Sequence, residues 1–282
     1  MQALDDYINQ VTTLQPAPRV LAELMLLLKK DETDAAEVVE LITFDPALTA
    51  KVLQRCNSVF WSADHPIADM GEAVGRVGFN EIYRLVALVV GEGVLCHPQA
   101  GYRLGEGELW QHSVTTALAS RAIARKLGGD ENLVFTAGLL HDIGKLVLSS
   151  FLEDAYEPLL SRLEPSGVSF LDAEKSILGV EHAEVGGRLL TRWRFPANLV
   201  NAVAHHHDPA KAKPFHQLAA YIHVGDLIAH CLGQAQGLDP FAVRGRPEAL
   251  EILEITPPEV ENLMLEAEAE LQESSWLFSA KK

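Results

Sequence analysis

Apolar residues recur at steps of three and four positions along almost the whole chain, and strict alternation of apolar and polar residues is scarce. The first spacing places side chains on one face of an α-helix, whereas alternation is typical of a β-strand. Proline, glycine and capping residues divide the pattern into segments. We therefore predict an all-α protein. The predicted helices span Val20–Lys29, Asp34–Phe44 with Asp34 as its cap, Ala47–Cys56, Ile67–Val77, Glu81–Val90, Leu109–Leu127, Leu133–Phe151, Ser169–Leu178, His182–Trp193, Ala197–His206 and Phe215–Cys231.

The stretch Cys96–Gly107 interrupts this pattern, because it contains Pro98 and three glycines. We expect it to join an N-terminal helical lobe, residues 1–98, to a second helical lobe, residues 99–282. The acidic segment Pro247–Ser275 keeps a helical spacing of leucine and valine, which predicts a helical cover on the second lobe.

Composition limits the class of protein. The 282 residues are 48% hydrophobic, which suffices for one large helical domain or two small lobes. Charged residues interrupt every apolar run before the ~18 residues that a membrane helix needs. The first ten residues have neither a basic nor an apolar stretch of the kind found in signal peptides. Three scattered cysteines exclude a disulfide framework or a thiolate metal motif. We expect a cytoplasmic protein with no membrane partner.

The formal net charge of −16 bears on the ligands of the protein. Binding to a phosphate backbone normally requires a basic surface that releases counterions, so duplex nucleic acid is not an expected partner. A small phosphorylated molecule or a nucleotide remains compatible with this charge, because a metal ion or one local cationic group can outweigh a distant negative surface.

Several histidines and aspartates fall at positions that the helical pattern directs inward. Asp142 shares a predicted helix face with Phe135 and Leu139, and Asp226 follows Ile222 by one helical turn. His182 and His206 likewise lie on apolar helix faces, and they belong to a set of six clustered histidines that also includes His112, His141, His205 and His207. Burying each such group without a partner costs about 1–3 kcal/mol, so a shared cation is the simplest explanation. Imidazole and carboxylate ligands suit iron, manganese, zinc or nickel and disfavour calcium.

The segment His141-Asp142-Ile143-Gly144-Lys145, with His112 before it and Asp226 after it, resembles the motif of the HD superfamily. The resemblance implies an HD-domain-like helical bundle in which His112, His141, Asp142 and Asp226 bind a metal and Lys145 holds a phosphate near it. Further segments resemble the HDOD family, a signalling branch of that superfamily, over residues of about 10 to 230. These segments are Asp45-Pro46-Ala47-Leu48-Thr49, Asn57-Ser58, Ala73 to Gly78, Trp193-Arg194-Phe195-Pro196 and His206-His207-Asp208-Pro209.

A second metal position is implied by resemblance to the HD-GYP phosphodiesterases. In that case Asp142 would bridge two ions, and His182, His206 and His207 would hold the second ion. Consecutive histidines at 205–207 leave the register open, and one of them is expected to face solvent. Glu108, one turn before His112, is either a ligand for a further metal or an ordinary first-turn glutamate favoured by the helix dipole.

Two main functions follow from this resemblance. Many HDOD proteins act as noncatalytic signalling modules, which favours a regulatory module that binds one or two divalent transition-metal ions, a ligand and a protein signalling partner. The retained ligands favour a metal-dependent phosphohydrolase for a nucleotide or cyclic-dinucleotide-like phosphoester, with Asp142 and Lys145 as catalytic residues. No Gly-Tyr-Pro follows Asp208-Pro209, which disfavours specific cleavage of a cyclic dinucleotide. A third, weaker alternative is a di-iron oxygenase.

Overall fold

The computed structural model describes Tyr7 and residues 19–27, 35–58, 66–154, 170–234 and 245–274. Within these residues the regular structure is helical apart from one antiparallel bridge between Gln99 and Leu104, and the predicted all-α class is confirmed. The α-helices are α1 (Arg19–Leu27), α2 (Ala35–Thr43), α3 (Pro46–Ser58), α4 (Met70–Val77), α5 (Phe79–Leu95), α6 (Glu108–Leu127), α7 (Glu131–Leu140), α8 (Lys145–Asp154), α9 (Phe170–Leu178), α10 (His182–Arg192), α11 (Ala197–Ala204), α12 (His216–Cys231), α13 (Pro247–Leu253) and α14 (Pro257–Glu273).

The predicted single helix from Leu133 to Phe151 is wrong. Two helices, α7 and α8, occupy this region, and residues 141–144 form turns between them. The break lies where Gly144 approaches the backbone of α10, since a Cβ on Gly144 would lie 1.9 Å from the carbonyl oxygen of His182. This close contact is a tertiary effect, and a continuous helical period in the sequence cannot reveal it. The predicted helix Ala197–His206 is likewise shorter, because α11 ends at Ala204.

The chain divides into two compact units, residues 16–94 and residues 95–282 together with residues 1–15. The first of these units contains helices α1 to α4 and almost all of α5. Two side chains, Asp45 and Asn57, which belong to the segments that resemble the HDOD family, stabilise turns of this unit. Asp45 caps α3, where its Oδ1 accepts hydrogen bonds from the backbone N–H groups of Ala47 at 2.9 Å and Leu48 at 3.0 Å. Asn57 pairs with both backbone groups of Ile67.

Helix α6 is the centre of the second unit, and α7 and α12 pack against it. Two glycines allow this close packing. A Cβ on Gly138 of α7 would lie 2.9 Å from Cα of Ala117, and a Cβ on Gly225 of α12 would lie 2.0 Å from Oγ of Ser120. Gly225 directly precedes Asp226, so the contact that joins α12 to α6 also brings that carboxylate towards α6. The three helices thereby approach one another most closely around Ala117 and Ser120 of α6.

The C-terminal segment forms helices, as the periodicity predicts. Helix α14 packs along α6, and Glu270 binds two arginines of α6, with distances of 2.6 Å to Arg121 and 2.8 Å to Arg125. Tyr7 also belongs to this unit. Its hydroxyl donates a hydrogen bond to the carbonyl of Leu178 at 3.0 Å, and its ring packs edge-on against Phe151.

One stretch, Glu131–Glu153, is long and apolar enough to cross a membrane by length and composition alone. Most of it, 83% of the apolar window, is buried inside the protein. Its apolar character is accounted for by its place in the core of the second unit.

Candidate metal centre

Four side chains from three parts of the second unit converge on one point. His112 extends from α6, His141 and Asp142 lie in the turn after α7, and Asp226 extends from α12. Nε2 of His112 lies 3.1 Å from Oδ1 of Asp226, 3.3 Å from Nε2 of His141 and 3.5 Å from Oδ2 of Asp142. Metal–ligand bonds of ~2.1 Å place neighbouring ligand atoms ~3.0 to 3.4 Å apart in octahedral or tetrahedral geometry. The separations from His112 are close to those around one ion, and Nε2 of His141 lies farther, at 3.8 Å, from Oδ1 of Asp226.

Backbone carbonyls fix which ring nitrogen is available for a metal. Nδ1 of His141 donates a hydrogen bond to the carbonyl of Gly138, and Nδ1 of His206 donates one to the carbonyl of Val203, both at 2.7 Å. Because a carbonyl only accepts, each Nδ1 must carry a proton, and each Nε2 presents a lone pair when the ring is neutral. In the part of the chain that the structure describes, the buried Nε2 of His206 has no hydrogen-bond partner.

A second group of ligands lies beside the first. His182 begins α10, and His206 and His207 follow the end of α11. Nε2 of His182 lies 3.1 Å from Oδ1 of Asp142 and 2.9 Å from Nε2 of His207, and Nε2 of His206 lies 3.9 Å from the same Asp142 oxygen. Oδ2 of Asp142 faces His141 at 3.3 Å. The two oxygens of Asp142 thus face two groups of imidazoles, as a bridging ligand requires, although bridging itself stays a prediction.

The carboxylates of the centre are ionised. Burial alone would raise the pKa of Asp142, but His141 and Lys145 hold it well below its usual range. Burial opposes ionisation of Asp226 in the same way, and the neighbouring His230 and His112 lower its pKa well below the usual value. These buried anions are the groups that a cation stabilises most strongly.

The imidazoles fall into two electrostatic classes in the metal-free protein. Burial would lower the pKa of His182, yet Glu174 and Asp142 raise it to about 10, and Asp142 raises that of His141 against the same effect. For His206 and His207 burial prevails, and neighbouring histidines lower the pKa of each further. A proton on His182 therefore balances part of the carboxylate charge at neutral pH when no metal is bound.

Lys145 lies inside the same cluster. Its Nζ is 2.7 Å from Oδ2 of Asp142 and 5.6 Å from the centre of the Tyr102 ring. Seven side chains of the cluster are almost completely buried, with exposed fractions of 2% for His112 and Lys145, 1% for His141, Asp142 and Asp226, and 0% for His182 and His206. His207 and His230 are the partly exposed side chains of the cluster.

Two of the residues considered from the sequence lie apart from the cluster. The carboxylate of Glu108 accepts a hydrogen bond from the backbone N–H of Gly105 at 2.7 Å, and it joins none of the groups of potential ligands among the described residues. Nδ1 of His205 donates to the carbonyl of Asn201 at 3.0 Å, so that His206 and His207 are the two members of the histidine run that reach the cluster.

Sequence reasoning missed three side chains around the centre. His230 of α12 places Nδ1 3.1 Å from Oδ1 of Asp226, and its spacing of four residues from Asp226 was a usable signal. His223 links the turn at His206 to residue 246, since it donates to the carbonyl of His206 at 2.9 Å and accepts from the N–H of Arg246 at 3.1 Å. Glu174 binds the ring of His182, and nothing in the local sequence distinguishes it from an ordinary helix glutamate.

The donor set fits a transition-metal ion. Groups of three residues whose ligand atoms lie within 4.8 Å of one another are formed by His112, His141 and Asp142, by His182, His206 and His207, and by His112, Asp226 and His230. The donors are imidazole nitrogens and carboxylate oxygens, which suits iron, manganese, zinc or nickel. The unpaired Nε2 of His206 and the ionised carboxylates supply the lone pairs and negative charge that such an ion requires.

The all-helical fold and the His/Asp cluster are those of an HD-type domain, and comparison with known families makes the assignment specific. The HDOD domain model matches residues 14–209, and the chain belongs to this family. An uncharacterised protein from Treponema pallidum is 27% identical over an alignment of 229 positions, and the alignment covers 76% of this chain and 42% of that protein. Ribonuclease Y from Thermus thermophilus is 30% identical over 151 residues, which are 54% of this chain and 21% of the enzyme. The chain spans less than half the length of either relative.

Solved structures share the fold. A candidate signal transduction protein from Marinobacter aquaeolei has a TM-score of 0.76 at 21% identity, over 99% of this chain and 65% of that one. A candidate phosphohydrolase from Shewanella amazonensis has a TM-score of 0.69 at 22% identity, over 96% of this chain and 94% of that one. These likenesses establish the helical architecture and leave the activity to the site itself.

Proposed function

We propose that this protein is a signal-transduction module of the HDOD type whose buried site binds one or two divalent transition-metal ions. The metal would stabilise the module and its response to a ligand or a protein signalling partner, and no substrate would be turned over. The single observation that carries the proposal is the burial of the site, because Lys145 and the candidate ligands of the cluster other than the partly exposed His207 and His230 are at most 2% exposed. A bulky phosphoester could not reach these groups without an opening movement.

Membership of the HDOD family supports the same assignment. The net charge of −16 makes an extended nucleic acid an unfavourable partner and leaves proteins and small phosphorylated molecules as the expected ones. The relative named ribonuclease Y acts on RNA by its name, but the chain covers only 21% of that enzyme.

Metal analysis of the purified protein tests the proposal. We expect stoichiometric iron, manganese, zinc or nickel in the wild type and loss of the metal in Asp142→Asn, which removes one charge from the centre. Asp69→Asn is the matched control, because Asp69 caps α4 in the other unit and asparagine caps a helix equally well. A wild-type protein that binds none of these metals tightly would overturn the proposal.

A metal-dependent phosphohydrolase is the second candidate, and the position of Lys145 favours it. A bound metal would supply a hydroxide at neutral pH. Asp142 would hold that metal, and the ammonium of Lys145, 2.7 Å from Oδ2 of Asp142, would offset the charge of a phosphate that entered the site. Such a reaction requires an opening movement that exposes Lys145.

A substrate screen separates the two candidates. The manganese- or iron-loaded protein is incubated with phosphomonoesters, nucleotides and cyclic dinucleotides, and release of phosphate or of a cleaved nucleotide is measured. The module predicts no turnover with any of these compounds at full metal occupancy. Hydrolysis that Asp142→Asn abolishes and Asp69→Asn retains would decide for the enzyme.

A further inference from the structure

A buried carboxylate supports the second group of ligands from behind. Glu174 of α9 is fully buried. Ionised side chains are rarely buried unless they are paired, since desolvation of an unpaired carboxylate is costly. Its Oε2 accepts hydrogen bonds from the backbone N–H of His182 at 2.9 Å and from Nδ1 of His182 at 3.0 Å, and its Oε1 accepts one from the hydroxyl of Tyr102. Two of the three donors thus belong to His182.

This arrangement fixes both the orientation and the tautomer of the His182 ring. One carboxylate oxygen binds the ring and the main chain of the same residue, so the imidazole cannot rotate without breaking a charge-assisted hydrogen bond. A proton held on Nδ1 leaves Nε2 as the atom that faces Oδ1 of Asp142 at 3.1 Å. Nε2 is therefore aimed at the space that His182 shares with His206 and His207.

We propose that Glu174 is a positioning residue of the metal site. It holds His182 in a carboxylate–imidazole–metal arrangement and makes Nε2 of His182 a stronger electron-pair donor to the metal. The inference rests on the proposed metal binding and adds a residue that lies outside the ligand set. Tyr102 completes the arrangement, because its hydroxyl fixes Glu174 while its ring lies 5.6 Å from Nζ of Lys145. Carboxylates behind metal-bound histidines change metal affinity by roughly 10- to 100-fold in other proteins.

The support is unequal between the two ligand groups. In the first group, the ring of His141 donates to a neutral carbonyl, that of Gly138. In the second group, Nδ1 of His206 also donates to a carbonyl, and of these three rings only that of His182 has a charged acceptor at Nδ1. Loss of the Glu174 charge should therefore weaken binding at His182 and leave binding at His112 and His141 close to that of the wild type.

Cobalt(II) titration of the metal-free protein tests the inference, with the visible absorption of the bound ion as readout. Glu174→Gln keeps the shape of the side chain and removes its charge. We expect roughly 10- to 100-fold weaker cobalt binding and an altered ligand-field spectrum for the ion bound at His182. Glu181→Gln is the matched control, since Glu181 directly precedes His182 and its carboxylate faces Lys175 at 4.0 Å. Its affinity and spectrum should equal those of the wild type.

Tyr102→Phe is the second variant, and it removes one hydroxyl without changing any charge. It should weaken cobalt binding less than Glu174→Gln does, and far-ultraviolet circular dichroism checks that each variant is folded. The role of Glu174 would be refuted if both Glu174→Gln and Tyr102→Phe kept the wild-type affinity and spectrum while Asp142→Asn lost binding. This outcome would leave the proposed function intact. If Glu174→Gln does not fold, wild-type binding by folded Tyr102→Phe refutes the role of Glu174. Absence of cobalt binding in the wild type would refute the proposed function itself.

Discussion

The packing of Gly144 against α10 leads to a sharp prediction for the substitution Gly144→Ala. A Cβ at this position would lie 1.9 Å from the carbonyl oxygen of His182 and 2.7 Å from the backbone nitrogen of Gly186. Both atoms belong to the main chain of a helix, so no change of rotamer can relieve the overlap. The turn at residues 141–144 must move away from α10 by about 1.5 Å to reach an ordinary contact of 3.4 Å.

This movement has two consequences of different size. Overpacking in a core costs typically about 1–3 kcal/mol when side chains can adjust, and a clash between main chains should cost about 3 kcal/mol or more. The displacement also separates His141 and Asp142 from His182, whose Nε2 lies 3.1 Å from Oδ1 of Asp142. Metal–ligand distances tolerate deviations of about 0.2 Å, so metal affinity should fall by about 100-fold or more.

Urea denaturation of the metal-free protein and a metal titration measure the two effects. The control is Gly93→Ala in α5, where nothing lies within 4 Å of the added Cβ. It should leave metal affinity unchanged and raise the free energy of unfolding by up to about 1 kcal/mol, as expected for glycine to alanine in a helix. If Gly144→Ala unfolds at the same urea concentration as the wild type and binds metal equally well, the close contact between the turn and α10 is incorrect.

Two further predictions concern the ligands and their protons. Metal binding should release a proton at pH 7, since His182, with a pKa of about 10, is protonated in the metal-free protein and must lose this proton to bind a metal through Nε2. Metal affinity should therefore decrease by about tenfold per pH unit for each proton released as the pH falls below 10. Calorimetry of metal binding in buffers of different ionisation enthalpy measures the number of protons released. Equal apparent enthalpies in all buffers would contradict this release. Glu108→Gln should retain wild-type metal content by elemental analysis, because the carboxylate of Glu108 binds the N–H of Gly105 and lies outside the cluster; loss of a metal ion in this variant would instead identify Glu108 as a ligand.

The helical class and the convergence of the histidine and aspartate side chains could be predicted from the sequence for different reasons. Periodicity reports which face of a helix is buried, and it correctly directed Asp226 of α12 inward. For Asp142 the inward direction was correct but its basis was not, since Asp142 lies in a turn and not on a helix face. Motif spacing identified Asp142 where periodicity alone would have misplaced it.

What the sequence could not provide depends on tertiary contacts. Gly144 interrupts the helical period only because the main chain of α10 lies against it, and α10 is distant in the sequence. Glutamate is usually a surface residue, and Glu174 can be buried only because His182 and Tyr102 supply its hydrogen bonds. His206 and His207 reach the cluster and His205 does not, because of the way the chain turns after Ala204. A shift of this turn by one residue would bring a different pair of histidines to the cluster.

The position of His223 determines how much of the chain any laboratory fragment must contain. Its imidazole joins the turn of His206 to the N–H of Arg246, so the start of the C-terminal helices is tied to the ligand cluster through one side chain. A fragment trimmed to the family match would end at residue 209 and lack Asp226 altogether. One that ended at residue 234 would keep all the proposed ligands and still leave a buried ring nitrogen of His223 without its donor. Metal binding by such shortened fragments should therefore differ from that of the 282-residue chain.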